Sequence, residues 1–291
     1  MKRNLIYDVG LHLGEDSEFY LEKGFDVVAV EASPANAIKA GNRLKAYVDS
    51  GRLTIVNKAI ARDEGPVAFF VSDRSIWGTT DSETAERNRH LGSSISEITV
   101  PGVPFCRLLE EYGVPYYMKI DIEGADTLCL EGLLASADRP KYISIESSKT
   151  SFDDLVNEFA LLQRLGYRKY KVVAQHRIGE QRLPKTAGEG QFVDHVFEEG
   201  SSGAFGRELP GEWISLEQAL KVYMRIYRKY RIVGDYGWLA NVGFIRRALN
   251  RRRERPGANG ARRRTLPRKL LRNIETRLRP GWYDTHAMLE E

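Results

Sequence analysis

The chain has 291 residues, 42% hydrophobic and 29% charged, with a net charge of +4, a length and composition suited to one α/β core with a C-terminal extension. No apolar run approaches the roughly 20 residues that cross a bilayer, and the run after Met1-Lys2-Arg3-Asn4 is cut at Asp8, so no signal-peptide core forms and a cytoplasmic location is expected. Cys106 and Cys129 are the only cysteines; they make neither a disulfide framework nor a zinc cluster and read as packing residues.

Residues 5–9 form a short apolar run ending in Asp8-Val9-Gly10, a buried first strand entering a glycine turn. A helix over residues 15–23 follows and Gly24 stops it. Residues 27–30 give a second β-branched strand ending on Glu31, after which Ser33 and Pro34 fit an N-cap and a first helical residue. More strands are predicted at 53–60, 67–71, 116–122 and 142–146, and strands alternating with helices imply a parallel, doubly wound sheet. Ala125, Leu128, Cys129, Gly132 and Leu133 mark one amphipathic helix. Phe152, Leu155, Val156, Phe159 and Leu162 mark another, capped by Ser151 with Asp154 and ended by Gly166.

Beyond Gly166, strand candidates at 170–175 and 192–197 lack a helix between them and suggest an antiparallel pair closing the sheet edge. The organisation expected is a core of residues 1–200 and an extension of residues 201–291. The extension holds the end of a glycine-rich loop, a helix opened by a Ser215/Gln218 capping box, an arginine-rich arm and a terminal Trp-Tyr-Asp-Thr-His segment. Residues 246–280 hold 14 basic and two acidic side chains, a local charge of +12 that leaves the rest of the chain at −8. For this arm, opening at Arg246 and ending at Arg279, weak contact with a polyanion such as nucleic acid or an anionic membrane competes with simple solvation.

Asp8-x-Gly10-x-x-x-Gly14 lies between a strand and a helix, where glycines let the backbone turn sharply and approach a ligand. Dinucleotide folds use a shorter spacing that sets a pyrophosphate on a helix N-terminus. Here the turn is one residue longer and opens with a carboxylate, which repels phosphate and suits the ammonium of a methionine moiety. Glu31, at the end of the second strand, stands where an acid can accept both ribose hydroxyls.

Met118-Lys119-Ile120-Asp121-Ile122-Glu123-Gly124 alternates polar and apolar where a buried parallel strand is ordinarily apolar throughout. Unpaired buried charge is costly, so Lys119, Asp121 and Glu123 are either paired or at the carboxyl edge of the sheet, where open α/β folds bind ligands. Glu146 ends the next strand at that edge. These segments resemble the FkbM family of methyltransferases: Asp8-Val9-Gly10 through Gly14-Glu15-Asp16 and Phe19-Tyr20-Leu21, then Val30-Glu31-Ala32, then Lys119 through Asp126, in that order. The similarity is close over about residues 5–150. Residues 201–206 and 281–287 resemble segments of one subgroup, with Ala204 in place of the proline that subgroup leads one to expect.

The resemblance implies S-adenosylmethionine as cofactor and methyl transfer to an oxygen, often on sugars or natural products. It assigns Asp8, Gly10, Gly14 and Glu31 to the cofactor and puts Asp121 and Glu123 beside the transferred methyl. By position Asp121 is the first candidate for the base. His286 is the second, since Asp284-x-His286 can fold back over the site with the carboxylate orienting the imidazole. Glu146, Trp77 and His176 are candidate acceptor contacts, Trp77 together with Asn88, Arg89 and His90 in a polar insertion; His176 and His195 also fit structural roles. No ligand spacing indicates a metal. Two rivals remain open, a nicotinamide-dependent oxidoreductase on a similar sheet and a non-catalytic cofactor-binding partner protein.

Overall fold

The computed structural model describes residues 1–72, 78–90, 92–148, 151–198, 200–233 and 281–290. Trp77 and the arm of residues 246–279 lie outside these. The first strand, β1 (Lys2–Val9), turns at Gly10 into α1 (Glu15–Glu22), and β2 (Asp26–Val30) runs parallel beside it. Ser33 caps α2 (Pro34–Arg43) by accepting from Asn36 N–H, with Pro34 at the first helical position, as its sequence demands. After α3 (Lys45–Asp49), β3 (Leu53–Val56) pairs with β2.

The strand predicted over 53–60 breaks here. Asn57 Nδ2 donates to Glu31 O at 2.7 Å, pulling the chain off the sheet, and β4 (Ala59–Ile60) joins a second, three-stranded sheet with β5 (Gly65–Ser72) and β6 (Ile95–Val103). The run at 67–71 therefore belongs to this smaller sheet, where β5 pairs antiparallel with β6, a strand the sequence pattern did not reveal. Between them stands α4 (Ser82–His90).

The main sheet resumes with α5 (Phe105–Tyr112), β7 (Pro115–Ile120), α6 (Thr127–Leu133), β8 (Tyr142–Glu146), α7 (Phe152–Arg164) and β9 (Lys169–Ala174), followed by α8 (Leu216–Val233) and β10 (Tyr283–Met288). Its order is β3-β2-β1-β7-β8-β10-β9. Every neighbour is parallel except β10, which slots between β8 and β9 antiparallel to both. Helices cover both faces, α5 to α8 on one and α1 with α2 on the other, so the fold is a doubly wound α/β sheet.

Residues 192–197 do not form the strand predicted for them. His195 and Phe197 pack their rings on Phe19 of α1, at 5.0 and 4.9 Å, while Phe192 and Val196 face solvent. The antiparallel partner of β9 is instead β10, whose Tyr-Asp-Thr-His-Ala-Met sequence lacks the apolar density of a recognisable strand. The outer edge of β9 is closed by a bridge from Tyr170 to Ile214. A boundary near residue 200 has no counterpart in the packing: Ala204 and Phe205 belong to the α1-side core, and Ala219, Tyr223, Ile226 and Ala287 to the other. Phe205 stacks flat on Tyr117 of β7 at 4.3 Å, a contact that fixes the loop beneath the central strands. Among the described residues no helix is long and apolar enough to cross a membrane.

Candidate active site

The strand registers carry one row of residues across the carboxyl edge. Val30, Val9, Ile120, Ile145 and Thr285 are successive neighbours across β2, β1, β7, β8 and β10. The next position on each strand is Glu31, Gly10, Asp121, Glu146 and Asp284, with Asp284 paired directly to Glu146. Sequence positions far apart thus meet in one line, spaced about 4.8 Å per strand.

At its β1 end the row is a tight backbone structure. Gly10 has φ +98°, and a Cβ there would lie 1.9 Å from Asp121 O, so only glycine lets the two strand ends approach. Gly14, also at positive φ, is the N-cap of α1. The N–H groups of Gly10 and Leu11 donate to Val30 O, that of His12 to Glu31 Oε2, that of Leu13 to Glu15 Oε2 and that of Gly14 to Leu11 O. Glu31 is 7% exposed and accepts from His12 N–H and Ser33 N–H, both at 2.8 Å. Burial raises its pKa, tempered by those two N–H groups.

Asp8 is fully buried, a place its sequence position did not foretell. Its Oδ2 accepts from Ser17 Oγ at 2.7 Å, and Oδ1 lies 3.0 Å from Lys119 Nζ. Lys119 also donates to Gly10 O at 2.7 Å and lies 3.7 Å from Asp16. Burial alone would lower the pKa of this ammonium, but Asp8, Asp121 and Asp16 together hold it well above its ordinary value. Asp16 takes two bonds from Ser202 N–H, at 2.9 and 3.0 Å; burial, opposed by Lys119, puts its pKa at about 6. Lys119 is therefore a central clamp for both the first strand and the turn, and the paired reading and the edge reading of its motif hold together.

Asp121 follows β7 and remains partly exposed. Burial pushes its pKa up to about 7 against the pull of Lys119, with Glu146, Asp126 and Asp16 adding to the rise. The loop beyond it is folded by Asp126, whose Oδ1 accepts from Ile122 N–H and Oδ2 from Gly124 N–H, both at 3.0 Å. Glu123 adopts φ +53°, an unfavourable conformation for a residue with a side chain. Its carbonyl accepts from Thr79 Oγ1, and Asp81, bonded to Thr79, packs on Gly124. The smaller sheet thus props the loop that carries Asp121.

His286 is corrected by the fold. The terminal segment does return to the site, but as an interior strand: His286 sits two residues inside the edge, opposite Ser144 and Lys171, and is 1% exposed. Burial, with Lys171 adding, drives its pKa down to about 3, so the imidazole is neutral and enclosed. The edge residue of that strand is Asp284, 5% exposed, its pKa held well above the ordinary value by burial and by Asp121 and Glu146. His176 follows β9 at the same edge, its ring against Gly281 and 5.9 Å from Tyr283. His195, 3.1 Å from Glu22, packs away from the edge. Arg89 and His90 are exposed and pair with Glu86. Ala204 N–H donates to Gln181 Oε1 at 2.7 Å, a bond that proline could not make.

Sequence reasoning missed Gln175 and the supporting contacts of Asp16 and Thr79, and took Asp284 only as the group orienting His286. Thr79-x-Asp81 carried one usable signal, an Asp three residues before Thr84, whose N–H it caps at 2.8 Å. Among the described residues no group of three His, Cys, Asp or Glu side chains is arranged to hold a metal ion.

Residues 8–169 match the sequence profile of the methyltransferase FkbM domain. No curated protein matches the chain. Solved structures with similar coordinates are distant. Precorrin-6y C5,15-methyltransferase from Geobacter metallireducens is 14% identical over 66% of this chain and 74% of that one, with a TM-score of 0.32. A SAM-dependent methyltransferase from Geobacter sulfurreducens in complex with S-adenosyl-L-homocysteine is 13% identical over 99% and 85%, at 0.34. Phosphoethanolamine N-methyltransferase 2 from Haemonchus contortus, in complex with S-adenosyl-L-methionine, is 10% identical over 100% and 50%, also at 0.34.

Proposed function

The chain belongs to the FkbM methyltransferase family, and from that premise we propose that it is a cytoplasmic enzyme transferring a methyl group from S-adenosylmethionine to a hydroxyl of a sugar, glycoside or other small hydroxylated acceptor. The observation that carries this reading is the row Glu31, Gly10, Asp121, Glu146, Asp284. It lines up a buried acid and a glycine turn at one end with carboxyl groups at the other, and between them an acid whose pKa is pushed up to about 7, an arrangement that supports this reading.

Glu31 is the residue that would hold the ribose. Its two oxygens are oriented by backbone N–H groups, and each keeps a second lone pair for a hydroxyl. Gly10 and Gly14 shape the turn against the cofactor. Asp8 acts indirectly, through Lys119, which fixes Gly10 O and neutralises the buried carboxylates. The cofactor, when bound, supplies an electrophilic methyl on a sulfonium.

Holding acceptor oxygen and methyl carbon in line can contribute about 7 to 11 kcal/mol toward the barrier. Asp121 takes the acceptor proton; with a pKa of about 7 it is available as a base in neutral water and is a stronger base than an ordinary carboxylate. Glu123 serves by shaping the loop beside it.

The dinucleotide alternative is disfavoured by the turn. Its N–H groups from Gly10 to Gly14 are already bonded within the chain, and the first turn of α1 carries Glu15, Asp16 and Glu18, a poor seat for a pyrophosphate. Calorimetric titration with S-adenosylmethionine, S-adenosylhomocysteine and NAD is the test. Both sulfur nucleotides should bind, and Glu31→Ala should weaken them about 10- to 100-fold through loss of charged hydrogen bonds. Binding of NAD alone, or of nothing, would refute the assignment.

A further inference from the structure

One helix carries a cationic face that the transfer reaction does not use. Between Lys221 and Val233, α8 has five basic side chains, Lys221, Arg225, Arg228, Lys229 and Arg231, and no acid. Ala219, Tyr223 and Ile226 turn into the core, which leaves Lys221, Met224, Arg225, Arg228, Arg231 and Ile232 exposed on the opposite side of the helix. Lys221 pairs with Glu217 at 2.6 Å, and Asp154 of α7 acts on Tyr227 from the flank. Among the described residues no ion pair takes up Arg225, Arg228, Lys229 or Arg231. The helix dipole favours cations in the last turn, which accounts for Arg231. It accounts neither for Arg225 and Arg228 further in nor for Met224 and Ile232, which are 44% and 50% exposed and stand about 12 Å apart along the axis. The face also has a definite place in the fold. Ile214, just before α8, bridges Tyr170 at the start of β9, while Tyr227 donates to Ser148 O at 2.7 Å just past the end of β8, so the basic half lies toward the carboxyl edge of the sheet. From Val233 the chain leads within thirteen residues to Arg246, where the +12 arm begins, so that charge is tethered within about 45 Å of the end of α8.

We propose that the outer face of α8 docks the protein on an anionic lipid surface, with its arginines among the headgroups and Met224 and Ile232 in the apolar layer beneath them. Cations interleaved with apolar side chains fit a bilayer interface, where electrostatic attraction and apolar burial act together. A nucleic acid would reward the cations and leave both apolar side chains without a role. With five basic side chains over its second half, α8 lies on such a surface and does not cross it. Docking there holds the carboxyl edge of the sheet beside the lipid.

The test is flotation of the full chain with vesicles of phosphatidylcholine alone and of phosphatidylcholine mixed equally with phosphatidylglycerol. The mixed vesicles should carry the protein and the neutral ones should not, and added salt should weaken the binding. Each basic side chain near an anionic surface strengthens binding roughly fivefold, so Arg225→Gln, Arg228→Gln and Arg231→Gln combined should weaken it about a hundredfold. Met224→Ser with Ile232→Ser should weaken vesicle binding about tenfold and leave retention on duplex DNA unchanged. All five side chains are exposed, so Tm should stay as it is; Arg225→Gln alone, with a loss of about fivefold, stands in if the triple variant does not fold. No binding to the mixed vesicles would overturn the docking face. So would undiminished binding by the triple arginine variant, which would hand the attraction to residues 246–280, or duplex DNA that binds more tightly and displaces the vesicles, which would make the face a nucleic-acid surface.

Discussion

The two halves of the carboxyl edge of the sheet are built by different means. Over β2 and β1 the functional groups are held by backbone: Glu31 by two N–H groups, the turn by its own hydrogen bonds, and Gly10 by an approach to Asp121 O that tolerates no Cβ. Over β8 and β10 the edge is made of side chains, carboxyl against carboxyl, steadied from below by further side chains. There Ser147 Oγ, next to Glu146, bonds Glu158 of α7 at 2.7 Å and Thr285 at 2.6 Å, and Tyr223 of α8 bonds Thr285 at 2.6 Å. A backbone-built site recognises one invariant ligand, whereas a side-chain site can be retuned by substitution without disturbing the sheet.

If the halves are separable, changing the residue between them must stop chemistry and spare the cofactor. Asp121→Asn should lower turnover by about 10² to 10⁴-fold while S-adenosylhomocysteine binds as before. The rate of the unaltered enzyme should rise with pH through about 7, because the base acts only when deprotonated, and the variant should lose that limb. An unchanged rate would remove Asp121 as the base and leave the transfer to positioning alone.

A smaller effect is expected from the prop beneath the Asp121 loop. Thr79→Val removes the bond to Glu123 O and should cut kcat roughly tenfold without changing cofactor affinity, and Thr79→Ser should restore it. A loss of cofactor affinity in Thr79→Val would show that the halves are coupled through this loop.

The least effect should come from Glu158, and it bears on stability. Burial raises its pKa from 4.5 to about 8, so the native state holds a proton that the unfolded chain releases earlier. Stability from this group is complete below about 4.5 and is lost as pH rises toward about 8. Glu158→Gln should flatten that decline in Tm; an equal decline in the variant would assign the slope to other groups.

Much of the first half was legible in the sequence because its determinants are local. A glycine turn, an acid closing a β-branched run and a serine-proline cap lie within a few residues of one another and act through backbone geometry. The β8–β10 half was legible only in part: Glu146 stood out as the end of its strand, but the alignment of Asp284 beside it follows from the pairing of β10 with β8 and β9. His286 looked like a base because a histidine two residues from an aspartate has that pattern; burial within a strand makes it a neutral interior group instead. Burial likewise turned Asp8 from a ligand contact into the partner of Lys119.

The sequence by itself determined the alternation of strand and helix, the parallel doubly wound core, the two glycines that need positive φ and the family, for each rests on short-range pattern. Tertiary structure alone decided that the tail completes the sheet, that Thr79 and Asp81 beside the smaller sheet support the loop after β7, and which acids are sealed and which remain open. Strand register and burial arise from contacts between residues tens to more than a hundred positions apart, and the proton affinity of each carboxyl follows largely from those contacts.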